Sequence, residues 1–258
     1  MQFVTPKVYL VAKTSEVDTE DFIKAIHADK YQSNAPSKIE KLIEFMGRLC
    51  YRSFQPLLNK NVTRIREDNA EYIKNILSSG HGSVLEHSSA SFVFHNVSRV
   101  FTHELIRHRV GVGISQESLR YVRLEDINFW LPSCIEEHPQ AVEIFERVIN
   151  TCEEAQKELA ELYKLDTTKD FGFKKEITSA MRRVAPEGLA TTIGWTGNMR
   201  ILRHCIEMRT SRHAEEEIRL VFNQVAEICC KEWPHLFADY QVEMVNGYGE
   251  WTTPYSKV

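Results

Sequence analysis

The chain has 258 residues, of which 43% are hydrophobic and 26% charged, and its formal net charge is −4. This length and composition are typical of one large or two small soluble domains with a substantial core. The acidic balance argues against a general nucleic-acid-binding protein, because such proteins carry a basic surface. The six cysteines form no Cys-x-x-Cys pair, and the first residues lack the apolar run of a signal peptide. We therefore expect a cytoplasmic protein with reduced thiols, no metal site and no membrane span.

The first third of the chain predicts a strand, two helices and a second strand. Residues 2–14 favour β structure through their Val, Tyr and Phe content. Ser37 and Glu40 form a possible capping box before an apolar pattern of helical period. A second helix is predicted over about Ile65–Leu77. Over residues 89–97, Ala90, Phe92 and Phe94 alternate with Ser89, Ser91 and Val93, and this alternation indicates a strand with one buried face.

The middle and the end of the chain favour helices. Ser98 suits the N-cap of a helix over RVFTHELIRHR, which we expect to end in a flexible loop at Gly111 and Gly113. The remaining predicted elements are a long helix over 139–164 with Ile144, Val148 and Leu162 in its apolar stripe, helices over 174–184, 198–209 and 213–232, a short strand over 190–196, and an irregular tail from Gly247. One α+β domain over residues 1–258 is the simplest arrangement.

The segment RHRVGVGISQESLRYVR, from Arg107 to Arg123, concentrates positive charge in an acidic chain. Arginine keeps its charge at ordinary pH and binds phosphate through paired hydrogen bonds. Gly111 and Gly113 allow backbone to approach a ligand closely, and neutral donors and an aromatic ring lie beside them. The segment therefore suits a nucleotide phosphate with an adjacent ring. Charge alone slightly favours a solvated basic helix end, because surface arginines are common.

Two further clusters carry polar side chains. GHGSVLEH places His81, Ser83 and His87 before a strand, where turn capping and buried histidines are ordinary explanations, and it lacks the helical HExxH spacing of a zinc site. In GNMRILRHCIEMRTSRHAEEEIR, Arg200 and His204 are four residues apart and share a helical face. The ordinary explanation, an exposed surface with salt bridges, accounts for Arg212 and Arg219. It accounts less well for the face that carries Arg200 and His204.

These clusters, in this order, resemble the flavin-dependent thymidylate synthase family. RHR with the later SLRY is similar to the family's first motif, and HGSVLEH to its His-x-Thr-x-x-Glu-His segment. NMR and HAEEEIR are similar to its Asn-x-Arg and His-Ala-Gln-x-Glu-Ile-Arg segments, and RRVAP to its Arg-x-x-x-Pro segment. The resemblance covers about residues 48–218, and four ordered segments are far more specific than RHR alone.

The resemblance implies a fold, a reaction and an assembly. The fold is a single α+β domain with a small mixed or antiparallel sheet packed by several long helices. The reaction is the reductive methylation of dUMP to dTMP, in which methylenetetrahydrofolate donates the carbon, FAD carries reducing equivalents and NADPH supplies them. The assembly is a homotetramer whose active sites are shared between subunits.

The resemblance also assigns roles to individual residues. Those assigned to FAD are Ser83, Arg107, His108, Arg109, Asn198, Arg200 and His204. Those assigned to dUMP are Glu104, Arg107, Gln116, Ser118, Arg120, Arg182 and Arg209. Arg209 is the catalytic candidate, since a fixed cation beside the uracil favours the ionised N3. The family uses no cysteine nucleophile, so none of the cysteines requires a catalytic role.

This chain departs from the family pattern at several of these positions. The segment between Arg109 and Arg120 is one residue longer than in the family. This chain has Glu104 and Glu215 where the family has Gln, and Ser115 and His204 where the family has Asn. Glu104 leaves a second hypothesis open, an enzyme of the same fold that modifies another pyrimidine nucleotide, for example by hydroxymethylating dCMP. A carboxylate accepts a hydrogen bond from the cytosine amino group as readily as from uracil N3–H. A third hypothesis is a non-catalytic FAD- or nucleotide-binding protein.

Overall fold

The structure is a computed structural model that describes residues 1–121, 127–256 and 258; Arg123 of the basic segment lies outside the described residues. The described strands are β1 Gln2–Phe3, β2 Lys7–Lys13, β3 Ser89–Ser98, β4 Val112–Gln116, β5 Asn128–Phe129, β6 Ala190–Asn198, β7 Gln241–Val245 and β8 Tyr248–Thr252. The described α-helices are α1 Glu20–Ala25, α2 Lys38–Tyr51, α3 Asn69–Ser78, α4 Arg99–Leu105, α5 Ser133–Glu136, α6 Pro139–Leu162, α7 Phe171–Met181, α8 Met199–Thr210 and α9 Glu216–Glu232. Short 3-10 helices cover Gly82–His87 and Arg182–Val184.

The main sheet has four strands in the order β2-β3-β6-β4. Ser91 bonds to Thr196 at 2.8 Å and His95 to Thr192 at 3.0 Å, so β3 and β6 run in opposite directions. The strands β1 and β5 form a parallel pair, and β7 and β8 an antiparallel pair. This α+β architecture confirms the predicted fold class.

The chain folds into two compact units, each assembled from segments that are distant in sequence. Unit 1 consists of residues 1–9, 93–107 and 114–194, and unit 2 of residues 10–92, 108–113 and 195–258. One core cluster of unit 1 is built by Ile127, Phe129, Ile149 and Leu189. In unit 2, one cluster is built by Ile23, Ala28, Phe45 and Phe54, while Trp195 packs edge-on against Phe222.

Local sequence signals place several helices and strands correctly. Ser37 caps α2 by accepting the Glu40 N–H at 3.2 Å, and Ser98 caps α4 by accepting the Phe101 N–H at 3.0 Å. In β3 the side chains alternate between buried and half-buried up to residue 94, as predicted. The Glu40 carboxylate does not return to the Ser37 backbone but accepts the His235 N–H at 2.8 Å. The capping box is therefore only half formed, and the Glu40 carboxylate instead fastens a distant segment to the start of α2.

Other predicted boundaries and faces were wrong. Helix α4 ends at Leu105, several residues before its predicted end. Strand β4 forms where the sequence predicted a loop, because the β4 backbone is hydrogen-bonded to β6. Helix α3 begins at residue 69 because the Asp68 carboxylate caps it, accepting the Glu71 N–H at 2.9 Å. On α6 the predicted apolar stripe is partly open to solvent, with Ile144 52% and Val148 51% exposed.

The tail predicted to be irregular contains strand β8, which forms a hairpin with β7 just before it. Its turn is Asn246-Gly247, with φ of +53° and +81°, and Val245 pairs with Tyr248 across it. A two-residue turn with both φ values positive matches the right-handed twist of the flanking strands, and Asn-Gly is its preferred sequence. The dipeptide was a usable hairpin signal that the sequence prediction missed.

We expect Gly247→Ala to lower the free energy of unfolding by about 1–2 kcal/mol, because an L side chain is strained at positive φ. Open space surrounds this position, so the backbone alone sets the effect. The matched control is Gly113→Ala, where φ lies outside the positive range and the nearest side-chain atom would be 3.8 Å from the new Cβ. Urea unfolding measures both variants, and equal losses would contradict the assignment of the turn.

Candidate functional site

A cavity of about 380 Å³ lies beside the start of α8 in unit 2. The Asn198 side chain caps the helix by accepting the Ile201 N–H at 2.9 Å. One helical turn then carries Arg200 and His204 to the same side, as the sequence predicted. The cavity is lined by Glu86, Val110, Asn198, Arg200, Ile201, His204, Ser256 and Val258. Its volume lies within the usual range of small-molecule sites.

Gly111 allows the segment after RHR to pass directly over Asn198. Its φ is +72°, and a Cβ there would lie 2.5 Å from Asn198 Nδ2. The Asn198 N–H donates to the Gly111 carbonyl at 3.3 Å. Both the backbone angle and the close approach require glycine. This contact brings the neighbouring Val110 to the wall of the cavity.

The cavity has one cation–carboxylate pair on its wall. Arg200 Nη1 lies 2.6 Å from Glu86 Oε1, and the two side chains are 42% and 47% exposed. Ion pairs this exposed contribute little to stability. Arg200 also lies in the first turn of α8, where unpaired backbone N–H groups and the helix dipole favour an anion. An anionic ligand can therefore replace Glu86 at small cost.

A buried histidine and an arginine meet at the other end of α8. Arg209 Nε donates to His108 Nε2 at 2.7 Å, and the His204 ring packs edge-on against His108 with centroids 5.8 Å apart. Burial, the Arg209 charge and His204 lower the pKa of His108 from 6.5 to about 4. Burial and the Arg209 charge also lower the pKa of His204. His108 is therefore neutral at pH 7, and its Nε2 accepts.

Unit 1 contains a second group of cations. Arg99 is in the first turn of α4, and its Nη1 is buried without a hydrogen-bond partner among the described residues. Burial, followed by repulsion from Arg182, lowers the pKa of Arg99, while Glu187 acts in the opposite direction. A buried donor that lacks an acceptor is costly. This place is therefore suited to an anion with several acceptor oxygens.

The remaining predicted dUMP residues of unit 1 lie on α4, just after α4, on β4 and just after β4. Gln116 Nε2 donates to Thr102 Oγ1 at 3.3 Å. Ser118 Oγ accepts the Arg120 N–H at 3.3 Å, and the Arg120 carbonyl accepts from the Thr178 hydroxyl at 2.8 Å. Glu104 is half-buried near the end of α4, whereas Arg107, Arg120 and Arg182 are exposed.

The structure brings together only some of the predicted residues. Of those assigned to FAD, Asn198, Arg200 and His204 line the cavity, whereas Ser83, His108 and Arg109 of the same unit do not. The sequence prediction missed Arg99 as well as Ser256 and Val258. A cation in the first turn of a helix opposes the helix dipole, so the position of Arg99 was a detectable anomaly. No sequence signal placed the chain end at the cavity.

Some site types are missing from the described residues. In residues 1–121, 127–256 and 258, no three or more His, Cys, Asp or Glu side chains are arranged to hold a metal ion. No helix within those ranges is long and apolar enough to cross a bilayer.

Comparison with known proteins identifies the family. The family model of the thymidylate synthase complementing protein matches residues 33–235. The chain belongs to the flavin-dependent thymidylate synthase family. The flavin-dependent thymidylate synthase of Mycobacteroides abscessus is 35% identical over 250 residues, covering 93% of this chain and 92% of that protein. The enzyme of Mycolicibacterium vanbaalenii is 36% identical over 239 residues, covering 92% and 90%.

The family membership confirms the resemblance and the enzyme class, a methyltransferase that depends on flavin. Among solved structures, the UMP/dUMP methylase PolB of Streptomyces cacaoi bound with 5-Br dUMP superposes with a TM-score of 0.66. The superposition covers 92% of this chain and 96% of the PolB chain, and the two sequences are 19% identical. At that identity the match supports the fold alone.

Stability should fall in mild acid because of His108. The folded protein holds its pKa near 4, whereas the unfolded chain binds the proton near 6.5, so the unfolded state gains protons first as the pH drops. This part of the stability is complete above pH 6.5 and is lost towards pH 4. Urea unfolding at pH 7 and pH 5 should show a smaller acid loss for His108→Gln than for the wild type. The control is His103→Gln, which changes an exposed histidine of α4. A loss of unfolding free energy between pH 7 and pH 5 that is the same in His108→Gln as in the wild type would refute the pKa assignment.

Proposed function

We propose that this enzyme converts dUMP to dTMP, with FAD as cofactor, methylenetetrahydrofolate as carbon donor and NADPH as reductant. The names of the relatives, both at or above 35% identity over most of the chain, support the methylation of dUMP. The folate and NADPH follow from the sequence resemblance. The observation that carries the nucleotide assignment is the buried, unpartnered Arg99 Nη1 beside Arg182, among the residues that the structure describes.

The cavity beside α8 fits part of FAD. Its wall offers a side-chain amide from Asn198, a guanidinium from Arg200 and an imidazole from His204. The helix start and Arg200 suit a phosphate, and the half-exposed Glu86 is the partner that a phosphate displaces. FAD, when bound, supplies the redox chemistry of the reaction. The protein binds and orients it. The resemblance adds Ser83, Arg107, His108 and Arg109 to this cofactor site.

The phosphate of dUMP would bind in unit 1. A phosphate dianion supplies acceptors to Arg99 and Arg182 and relieves the repulsion between them. Ser118 and Arg120 follow β4 on a backbone that Thr178 holds in place. The resemblance adds Glu104, Arg107 and Gln116 to the same nucleotide.

Arg209 would act on the uracil ring. Its permanent charge and forked geometry suit the N3 and carbonyl region as negative charge develops there. His108 accepts the hydrogen bond from Arg209 Nε, and this contact holds one side of the guanidinium in place. Arg209 is thus the catalytic residue of the proposed reaction, and it requires no cysteine.

We propose a homotetramer as the working assembly. The resemblance supplies the number of subunits. The exposed apolar side chains of α6, including Ile144 and Val148, provide surface of the kind that a second subunit covers.

The purified protein should form dTMP from dUMP when FAD, methylenetetrahydrofolate and NADPH are present, and none when any one of them is omitted. Chromatography of the nucleotide products measures this. A parallel reaction with dCMP tests the alternative that Glu104 raises, because hydroxymethyl-dCMP would then be the product. Absence of both products from flavin-loaded protein would contradict an enzymatic role on either nucleotide.

Arg182→Ala should weaken dUMP binding by about 10–100-fold, since a hydrogen bond to a charged group contributes roughly 1.5–3 kcal/mol. Binding of deoxyuridine, which lacks the phosphate, should hardly change. The matched control is Arg183→Ala, the adjacent exposed arginine, whose Nη1 donates to the Ser179 carbonyl at 3.0 Å. Isothermal titration calorimetry gives all the affinities. Equal effects of the two substitutions, or an equal loss for deoxyuridine, would show that Arg182 does not bind the phosphate.

A further inference from the structure

The RHR triplet divides into two outward residues and one inward residue. Arg107 and Arg109 are exposed, whereas His108 is only 8% exposed. A histidine flanked by exposed arginines is an expensive residue to bury, because burial beside cations opposes its charged form. Its contacts therefore indicate what the inward position does.

The ring of His108 accepts a hydrogen bond from a side chain 101 residues away. Arg209 Nε, an obligatory donor, lies 2.7 Å from His108 Nε2. A nitrogen that accepts must carry its lone pair, so the ring proton is on Nδ1. The two groups that bear on this ring electrostatically, Arg209 and His204, both oppose its protonation. The acceptor is therefore present throughout the neutral range.

We propose that His108 is a positioning residue for Arg209, which it orients by accepting the hydrogen bond from Nε. This inference rests on the proposed function, in which Arg209 contacts the uracil. The guanidinium is planar, so fixing Nε restricts the plane and the direction of the two terminal nitrogens. The arginines of RHR would then bind anionic ligands, while the histidine between them aligns the arginine that acts on the ring.

Two amide substitutions separate this role from a general structural one. In His108→Gln the side-chain oxygen reaches about as far as Nε2, whereas in His108→Asn it reaches only about as far as Nδ1. Both are neutral amides, so only the reach of the acceptor differs. We expect kcat with dUMP to fall several-fold in His108→Gln and about 100-fold in His108→Asn, the scale of a misplaced catalytic group. FAD affinity, from quenching of flavin fluorescence, should agree between the two variants within about threefold, because the acceptor acts on Arg209.

Several outcomes would overturn the inference. Equal kcat in the Gln and Asn variants would show that turnover does not depend on how far the acceptor at position 108 reaches. A loss of FAD affinity in Asn that matches its loss of turnover would show that His108 affects turnover through the cofactor contact that the resemblance assigns to it, and not through Arg209. In an Arg209→Lys background, which lacks Nε–H, the Gln and Asn variants should differ by no more than about threefold, and a persisting difference of about 100-fold would also refute the coupling.

A measurement without turnover covers the case in which His108→Asn fails to fold. Arg209→Leu removes the guanidinium from the other side of the contact. It should reduce, without abolishing, the loss of unfolding free energy between pH 7 and pH 5, because burial, the largest cause of the lowered His108 pKa, remains while the opposing Arg209 charge is removed. An unchanged acid loss would show that the two side chains do not interact. If wild-type protein forms no product from dUMP, the proposed function fails, whereas an active wild type with equal amide variants rejects this inference alone.

Discussion

The placement of α8 depends on one buried ion pair. Arg203 is 1% exposed, and its guanidinium makes two hydrogen bonds to the Asp239 carboxylate, at 2.9 and 2.7 Å. It also donates to the Leu236 carbonyl at 2.6 Å and lies over the Tyr240 ring. Removal of one partner from such a pair is strongly destabilising because the other charge stays buried. Since Arg203 fixes the rotation of the helix, Arg200 and His204 must face the cavity.

The arginines of this chain differ in how completely nearby carboxylates neutralise their charge. Arg203 and Arg212 form close pairs with carboxylates of distant segments, and the buried Arg48 pairs with Glu44 of its own helix and donates to the Arg66 carbonyl. These arginines therefore hold segments together. Arg200 has only a half-exposed carboxylate, and the buried Nη1 of Arg99 has no hydrogen-bond partner in the described part of the chain. Incomplete neutralisation is therefore what distinguishes the candidate ligand-binding arginines.

Local chemistry predicted the parts of the fold that depend on neighbouring residues. The Ser37, Ser98 and Asn198 caps act within three residues, so the starts of α2, α4 and α8 could be predicted from sequence. The start of α9 was predicted too early, at residue 213, because Glu215 caps that helix by accepting the Glu217 N–H at 2.8 Å. A carboxylate is favourable at a helix start, which gives the Gln-to-Glu replacement a structural role. Strand β4 was missed since its backbone partners lie in β6, about 80 residues away.

The sequence by itself determined the family and the shared face of Arg200 and His204, because motif order and helical spacing are local properties. Only the tertiary structure decided that His108 points inward and accepts from Arg209. Only it showed that the half-buried Arg99 has a buried Nη1 with no acceptor among the described residues. Burial and long-range pairing depend on which distant segments pack together, and no short stretch of sequence encodes that packing.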